Sequence, residues 1–247
     1  MRLTVVGCSG SMPGPAGPAS SYLVEHDGVH LLLDLGNGAL GALQRHLDPS
    51  LVDAVLLSHL HADHCLDMCA YVVHRRYAPG GPRPPVPVHG PGDTARRLTT
   101  AYGPPDGGLD DVFAFSALAD GRREIGPFTL TTARVNHPVE TYATRVEAAG
   151  RSLTYSADTG VSDALVELAR GTDLLLCEAT FAAEDDAPPD LHLTGREAGE
   201  HAARAGVDRL VLTHIPPWND PIRTLDDASA VFDGAVEVAV PAATYAI

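Results

Sequence analysis

Basic residues are scarce: 17 Lys+Arg stand against 32 Asp+Glu in 247 residues, a formal net charge of −15. A protein that grips nucleic-acid backbones normally carries a basic footprint. This chain as a whole repels polyanions at long range, so long nucleic acid is disfavoured as a partner while small anions are not. Cysteines are also few. Cys8, Cys65, Cys69 and Cys177 are scattered, and only Cys65 and Cys69 stand close, at i and i+4. That is no disulfide framework, and it suggests the thiols of a cytoplasmic protein. No run approaches the roughly 20 apolar residues of a membrane span. No signal-like segment opens the chain either, because Met1-Arg2-Leu3-Thr4-Val5-Val6 goes directly into a strand pattern. No membrane partner is expected. Repeats and low-complexity tracts are absent, and no linker divides the halves, so residues 1–247 are expected to form one domain. The 45% apolar and 20% charged content is ordinary for a globular protein.

Against this background one stretch stands out, His59-Leu60-His61-Ala62-Asp63-His64. The apolar run Asp53–Ser58 before it reads as a buried strand, and Cys65–Tyr71 after it reads as helix. Four ligand-capable side chains therefore crowd a strand-to-helix turn. Their desolvation and mutual repulsion call for a cation. Imidazole and carboxylate together suit Zn²⁺, and also admit Mn²⁺ or Fe²⁺. Cys65 as a further ligand is the weaker alternative, because histidines and aspartates already fill the site.

Along the chain, Arg2–Cys8 reads as strand and Ser9–Ala19 as a Gly/Pro loop. Ser20–Glu25 and His30–Asp34 form a strand pair across the Asp27-Gly28 turn. Gly38–His46 looks helical, Pro79–Pro87 is a loop, and Pro91-Gly92-Asp93 opens a helix. Phe113–Ser156 is mostly strand. Helix Asp163–Arg170, strand Asp173–Cys177, helix Thr194–Ala205 and strand Arg209–Thr213 then alternate. Thr194 and Glu197 form a capping box, and Gly206 stands at the far end of that helix. This order predicts an α/β protein with two sheets face to face and helices outside.

Three more polar residues follow apolar strands: His137, Asp158 and His214. Brought together, His59, His61 and His137 would hold one metal and Asp63, His64 and His214 the other, with Asp158 bridging. Two divalent cations about 3.5–4 Å apart activate water for in-line phosphoryl displacement.

The motif His59–His64, followed in order by His137, Asp158 and His214, resembles the metallo-β-lactamase superfamily. Gly7-Cys8-Ser9-Gly10-Ser11 and Asp34-Leu35-Gly36-Asn37-Gly38 resemble its first strands and turns. The resemblance spans nearly the whole chain and implies a four-layer αββα sandwich with two metals at one edge, and a homodimer as in relatives of this architecture. Cys177-Glu178-Ala179-Thr180-Phe181 and His192-Leu193-Thr194 are similar to the Glu-Ala-Thr and His-x-Thr elements of its tRNase Z-like phosphodiesterase branch. That similarity implies that His192 protonates the leaving alkoxide while Glu178 orients the imidazole, and Asp63 serves as ligand and as orienter or base for the attacking water.

Only twenty residues separate His137 from Asp158. They read as two short strands with a turn at Ala149-Gly150, which leaves no room for the tRNA-gripping arm of tRNase Z enzymes. The stretches Ser58–Asp67, Arg75-Arg76-Tyr77, Asp190–Leu193 and Leu212–Trp218 resemble an actinobacterial group of atypical class II cyclic-nucleotide phosphodiesterases. That resemblance implies hydrolysis of 3′,5′-cyclic AMP to 5′-AMP. The alternatives are a tRNase Z-like RNA 3′-processing endonuclease and a hydrolase of another small cyclic phosphodiester. Trp218, the only tryptophan, is either a wall for a stacked purine or an apolar contact fixing its loop. Arg75 and Arg76 either steer a phosphate or form a solvated helix end. Asp34 is a candidate support for a ligand histidine.

Overall fold

The computed structural model describes residues 1–103, 107–182 and 188–247. In the first half, β1 (Arg2–Gly7), β2 (Ser21–His26) and β3 (Val29–Leu33) pair antiparallel. The sheet continues in parallel through β4 (Ala54–Leu56), β5 (Val86–Gly90) and β6 (Phe113–Ala117). Helices α1 (Ala39–Leu43), α2 (Ala62–Cys65), α3 (Asp67–Tyr77) and α4 (Thr94–Tyr102) connect these strands.

The second half repeats the scheme. β7 (Gly121–Ile125), β8 (Phe128–Arg134), β9 (Tyr142–Ala148) and β10 (Arg151–Tyr155) are antiparallel. β11 (Leu174–Glu178), β12 (Arg209–Thr213) and β13 (Ala235–Val238) follow in parallel, with α5 (Asp163–Leu168), α6 (Gly195–Ala205) and α7 (Pro221–Ser229) between and around them. The short β14 (Thr244–Ala246) returns to pair with β1 in the first sheet. The result is two mixed seven-stranded sheets flanked by helices.

Strand alternation builds this layering, because successive side chains point to opposite faces. Leu31 and Leu33 enter the core between the sheets, where they meet Tyr155, Leu153 and Leu176. Leu32, between them in sequence, faces the other way and packs in the layer of Val55, Met68, Tyr71 and Leu98 under the first-half helices. On the second sheet Leu174 and Leu176 point inward, while Leu175 and Cys177 meet Leu165, Ala198 and Ala202 outside. β11 is buried along its entire length, as a parallel strand covered on both faces must be. Thr194 and Glu197 cap α6 reciprocally, and Gly206 ends it at φ 64°.

Three expectations are corrected. α1 stops at Leu43 because the chain tightens into i→i−3 bonds, Arg45 N–H to Ala42 O and His46 N–H to Leu43 O. Val86 and Pro87 belong to β5 and not to the loop before it. Val86 and Val88 are buried there while Pro87 faces out, and β4 pairs only with Val88 and His89, so the ladder is already short where proline cannot donate. α7, β13 and β14 lie beyond the expected elements, although Asp220, which accepts from the Ile222 N–H, and Pro221 form a good helix start. Among the described residues no helix is long and apolar enough to cross a membrane.

Parallel strands deliver their C-terminal ends to one sheet edge. Asp34 follows β3, His59 follows β4 by three residues, Glu178 ends β11 and His214 follows β12. Asp158 and His137 come just after β10 and β8. Crossing hydrogen bonds tie these ends together, with Leu35 N–H donating to His64 O, Tyr142 N–H to Ser58 O and His214 N–H to Cys8 O.

Candidate metal centre

The six-residue motif and the three distant residues converge. Donor atoms of His59, His61, His137 and Asp158 lie within 4.8 Å of one another, and so do those of Asp63, His64, Asp158 and His214. Asp158 is common to both groups. A third group, Glu178, His192 and His214, adjoins the second.

Tautomers follow from the outer partners of each ring. Asp34, fully buried, accepts from His64 Nδ1 at 2.8 Å, so His64 turns a bare Nε2 inward. The Ser58 hydroxyl gives its proton to Asp34 at 2.8 Å, hence it accepts from His59 Nδ1 at 3.1 Å. His137 Nδ1 donates to Leu191 O at 2.8 Å. Thr180 donates its hydroxyl proton to His214 O and so accepts from His214 Nδ1 at 2.8 Å. Four Nε2 lone pairs therefore face one another, joined by His61 Nδ1. His59 Nε2 lies 3.0 Å and His137 Nε2 3.3 Å from His61 Nδ1, and His64 and His214 Nε2 stand 3.2 Å apart.

Such lone pairs repel unless something positive lies among them. Asp158 gives the same indication. Its Oδ1 is buried with no hydrogen-bond partner, although His64 and His214 Nε2 are only 3.2 and 3.5 Å away. An isolated buried carboxylate costs several kcal/mol. A pair of divalent cations resolves all of this, and the donor set of imidazoles and carboxylates fits a dinuclear centre.

The proton affinities carry the same imprint. Burial, then the charge that a proton on His64 would bring, pushes His59 well below the usual histidine range, and burial lowers His61 and His137. Burial also opposes charge on His64, but the carboxylates of Asp158 and Asp34 override it and raise its proton affinity well above normal. A metal and a proton compete for that Nε2. Burial disfavours charge on Asp63 and Asp158 as well, yet the surrounding histidines hold both far below the ordinary carboxylate range.

Backbone geometry makes the convergence possible. Asp34, Ala157 and His214 adopt φ of 60°, 55° and 57°, each costing about 1–3 kcal/mol for a non-glycine residue. Glycine is required where ligand backbones are approached. A Cβ on Gly36 would lie 1.9 Å from Asp63 O, and one on Gly10 2.1 Å from His214 O.

Beside the two donor groups, Glu178 is fully buried and anchored by four donors. Its Oε1 accepts from Thr159 N–H at 2.7 Å and His192 Nδ1 at 2.9 Å, and its Oε2 from Thr180 N–H at 3.2 Å and Leu193 N–H at 3.3 Å. The His192 ring centroid lies 5.4 Å from those of both His137 and His214. Burial works against an imidazolium here, but the Glu178 carboxylate prevails and raises His192 above its ordinary value.

Two of the candidate substrate contacts have other partners in the structure. Arg75 is buried, bonds Pro84 O and lies over the Tyr71 ring. Arg76 grips Asp111 through two bonds of 2.6 and 2.7 Å. Both guanidiniums are engaged by partners around α3. Trp218 is 66% exposed. Its loop is held instead by Asn219, which donates to Thr180 O at 2.6 Å, and by Pro217 against Gly14. Cys65 is a buried thiol in the first-half core and belongs to neither metal-ligand group. The supporting partners Ser58, Tyr155 and Thr180 are additions. Ser58 and Thr180 adjoin motif residues in sequence, whereas Tyr155, which donates to Asp34 at 2.8 Å, has no sequence signal.

Two stacked mixed sheets with a buried His/Asp double site at their common strand ends define a metallo-hydrolase, and the chain belongs to the metallo-β-lactamase superfamily. Residues 30–215 match the Beta-lactamase superfamily domain. An uncharacterized protein of Mycobacterium leprae is 49% identical, covering 100% of this chain and 89% of the relative. The probable metallo-hydrolase YhfI of Bacillus subtilis is 30% identical, covering 97% of each chain. Its crystal structure superposes with a TM-score of 0.89 at 29% identity over 99% of this chain and 98% of that one. The short form of human tRNase Z shares the fold at a TM-score of 0.79 and 20% identity, covering 100% of this chain and 99% of that one.

Proposed function

We propose that the protein is a dinuclear metal phosphodiesterase acting on a small cyclic nucleotide, 3′,5′-cyclic AMP foremost. The observation that carries the proposal is the anchored Glu178–His192 pair beside the double site. A buried carboxylate that holds one imidazole beside the rings of His137 and His214 is an acid suited to a poor leaving group such as a ribose oxygen.

His59, His61, His137 and Asp158 would hold one cation, and Asp63, His64, His214 and Asp158 the other. Zn²⁺ suits this set, with Mn²⁺ or Fe²⁺ as substitutes. When bound, the pair supplies Lewis acidity at phosphorus and lowers the pKa of water. Asp63 orients the attacking water, and the proton that water gives up passes to bulk solvent, because the neighbouring histidines leave Asp63 too weak a base to keep it. The new P–O bond forms as the P–O3′ bond breaks, and His192 gives its proton to O3′, leaving a 5′-monophosphate. Glu178 fixes the tautomer and direction of His192.

Two features favour a small substrate. Between His137 and Asp158 the chain forms only the β9–β10 hairpin, turning at Ala149 and Gly150, and the net charge is −15. Trp218, exposed and four residues beyond His214, would stack the base in this reading. As the only tryptophan it reports directly. Adding cyclic AMP to the zinc-loaded protein is expected to quench its fluorescence, and Trp218→Ala to raise KM about tenfold with Trp218→Phe restoring most of the loss. An unchanged spectrum at saturation removes Trp218 from the substrate site.

The decisive measurement is chromatography of the products from 3′,5′-cyclic AMP, 3′,5′-cyclic GMP, 2′,3′-cyclic nucleotides and a tRNA precursor, each with Zn²⁺, Mn²⁺ or Fe²⁺. Selective formation of 5′-AMP is the expected outcome. Preferential cleavage of the tRNA precursor would overturn the small-substrate reading.

A further inference from the structure

We infer that the backbone N–H of Ser11 is a catalytic donor, binding a non-bridging phosphoryl oxygen of the substrate. The inference rests on the phosphodiesterase reading above and adds a group from outside the ligand set.

Ser11 directs its N–H at His214 Nε2, 3.4 Å away. The other ring nitrogen of His214 is already committed to Thr180, so Nε2 has one lone pair, and one lone pair serves one partner. Once His214 ligates a cation, the Ser11 N–H loses that acceptor and is open to water or to an anionic oxygen bound at the same place. Its neighbours supply no other acceptor. Met12 N–H bonds Gly10 O at 2.7 Å, Gly10 N–H bonds Ile215 O at 3.2 Å, and the Ser9 hydroxyl is spent on Met12 O.

The direction of this N–H is built in. Ser11 sits at φ 62°, a left-handed conformation that a serine adopts only under constraint. Gly10 supplies the constraint by pressing against the carbonyl of His214, where any Cβ would collide. Ser11 itself is exposed, so the donor stands at the mouth of the site and not within its core. A fixed N–H bordering a dinuclear centre suits an anionic oxygen. Fixed before the reaction, it stabilises charge gained by phosphoryl oxygens in the transition state without reorganisation.

The test replaces the Gly10–Ser11 peptide link by an ester, which removes the N–H and keeps the side chain. In the zinc-loaded protein kcat/KM on bis-p-nitrophenyl phosphate is expected to fall about 10²–10³-fold, with zinc content unchanged. An ester at the Ser11–Met12 link, which breaks only a bond within the loop, is the control and should cost less than about tenfold. A second readout needs no turnover. With ¹⁵N-serine labelling, the Ser11 amide proton should move downfield as inorganic phosphate binds, and the Ser11 ester should weaken phosphate binding about tenfold. Equal losses from the two esters, loss of zinc, or a Ser11 resonance unmoved at saturating phosphate would each overturn the inference. Absence of phosphodiester turnover in the unaltered protein counts against the phosphodiesterase reading alone, because the phosphate titration still reads the donor.

Discussion

His192→Ala is expected to lower kcat on 3′,5′-cyclic AMP by about 10²–10⁴-fold while zinc content stays at that of the unaltered protein. The leaving group sets the size of this loss. A ribose alkoxide must be protonated as it departs, whereas p-nitrophenolate departs readily without an acid. On bis-p-nitrophenyl phosphate the same variant should therefore lose less than about tenfold. The fold should tolerate the change, because Glu178 keeps three backbone N–H donors when the imidazole is gone. Steady-state kinetics on both substrates, paired with metal analysis, separates the roles. Equal losses on both would remove general-acid catalysis, and a fall in zinc would make His192 a ligand through the group it forms with Glu178 and His214.

Dialysis against a chelator should abolish phosphodiester hydrolysis and lower the melting temperature by on the order of 10 °C, with Zn²⁺ restoring both. The magnitude follows from linkage. A ligand at a thousandfold excess over its Kd adds about 4 kcal/mol, and a chain of this size moves roughly 2–4 °C per kcal/mol. The structural basis is the crowd of inward lone pairs and the unpartnered Asp158 oxygen, which a proton on His64 relieves only in part when the cations are gone. Scanning calorimetry and an end-point assay suffice. Undiminished turnover after verified metal removal would end the dinuclear account.

Much of this site is legible in the chain. His59, His61, Asp63 and His64 declare themselves because ligation depends on side-chain type and on a spacing short enough for one turn to present them together. His137, Asp158 and His214 are legible as polar residues just past apolar strands. The Arg75–Arg76 pair misleads, because charge alone does not tell which partner a guanidinium will meet. Here Pro84 and Asp111, 9 and 35 residues away in sequence, claim them. Tyr155 shows the converse. A tyrosine at the end of a strand looks like core, and its hydroxyl reaches Asp34 across 121 residues of sequence.

By itself the sequence determined the layer order and the donor types, since hydrophobic alternation assigns each strand two faces and imidazole and carboxylate chemistry needs no partner to be recognised. Tertiary structure alone decided which nitrogen of each histidine is bare, that Ser11 aims its amide at the site, and that Asp34, Ala157 and His214 hold left-handed backbone. Those features come from long-range pairing: hydrogen bonds between strand ends far apart in the chain fix tautomers and offset local strain, and no local pattern of residues encodes them.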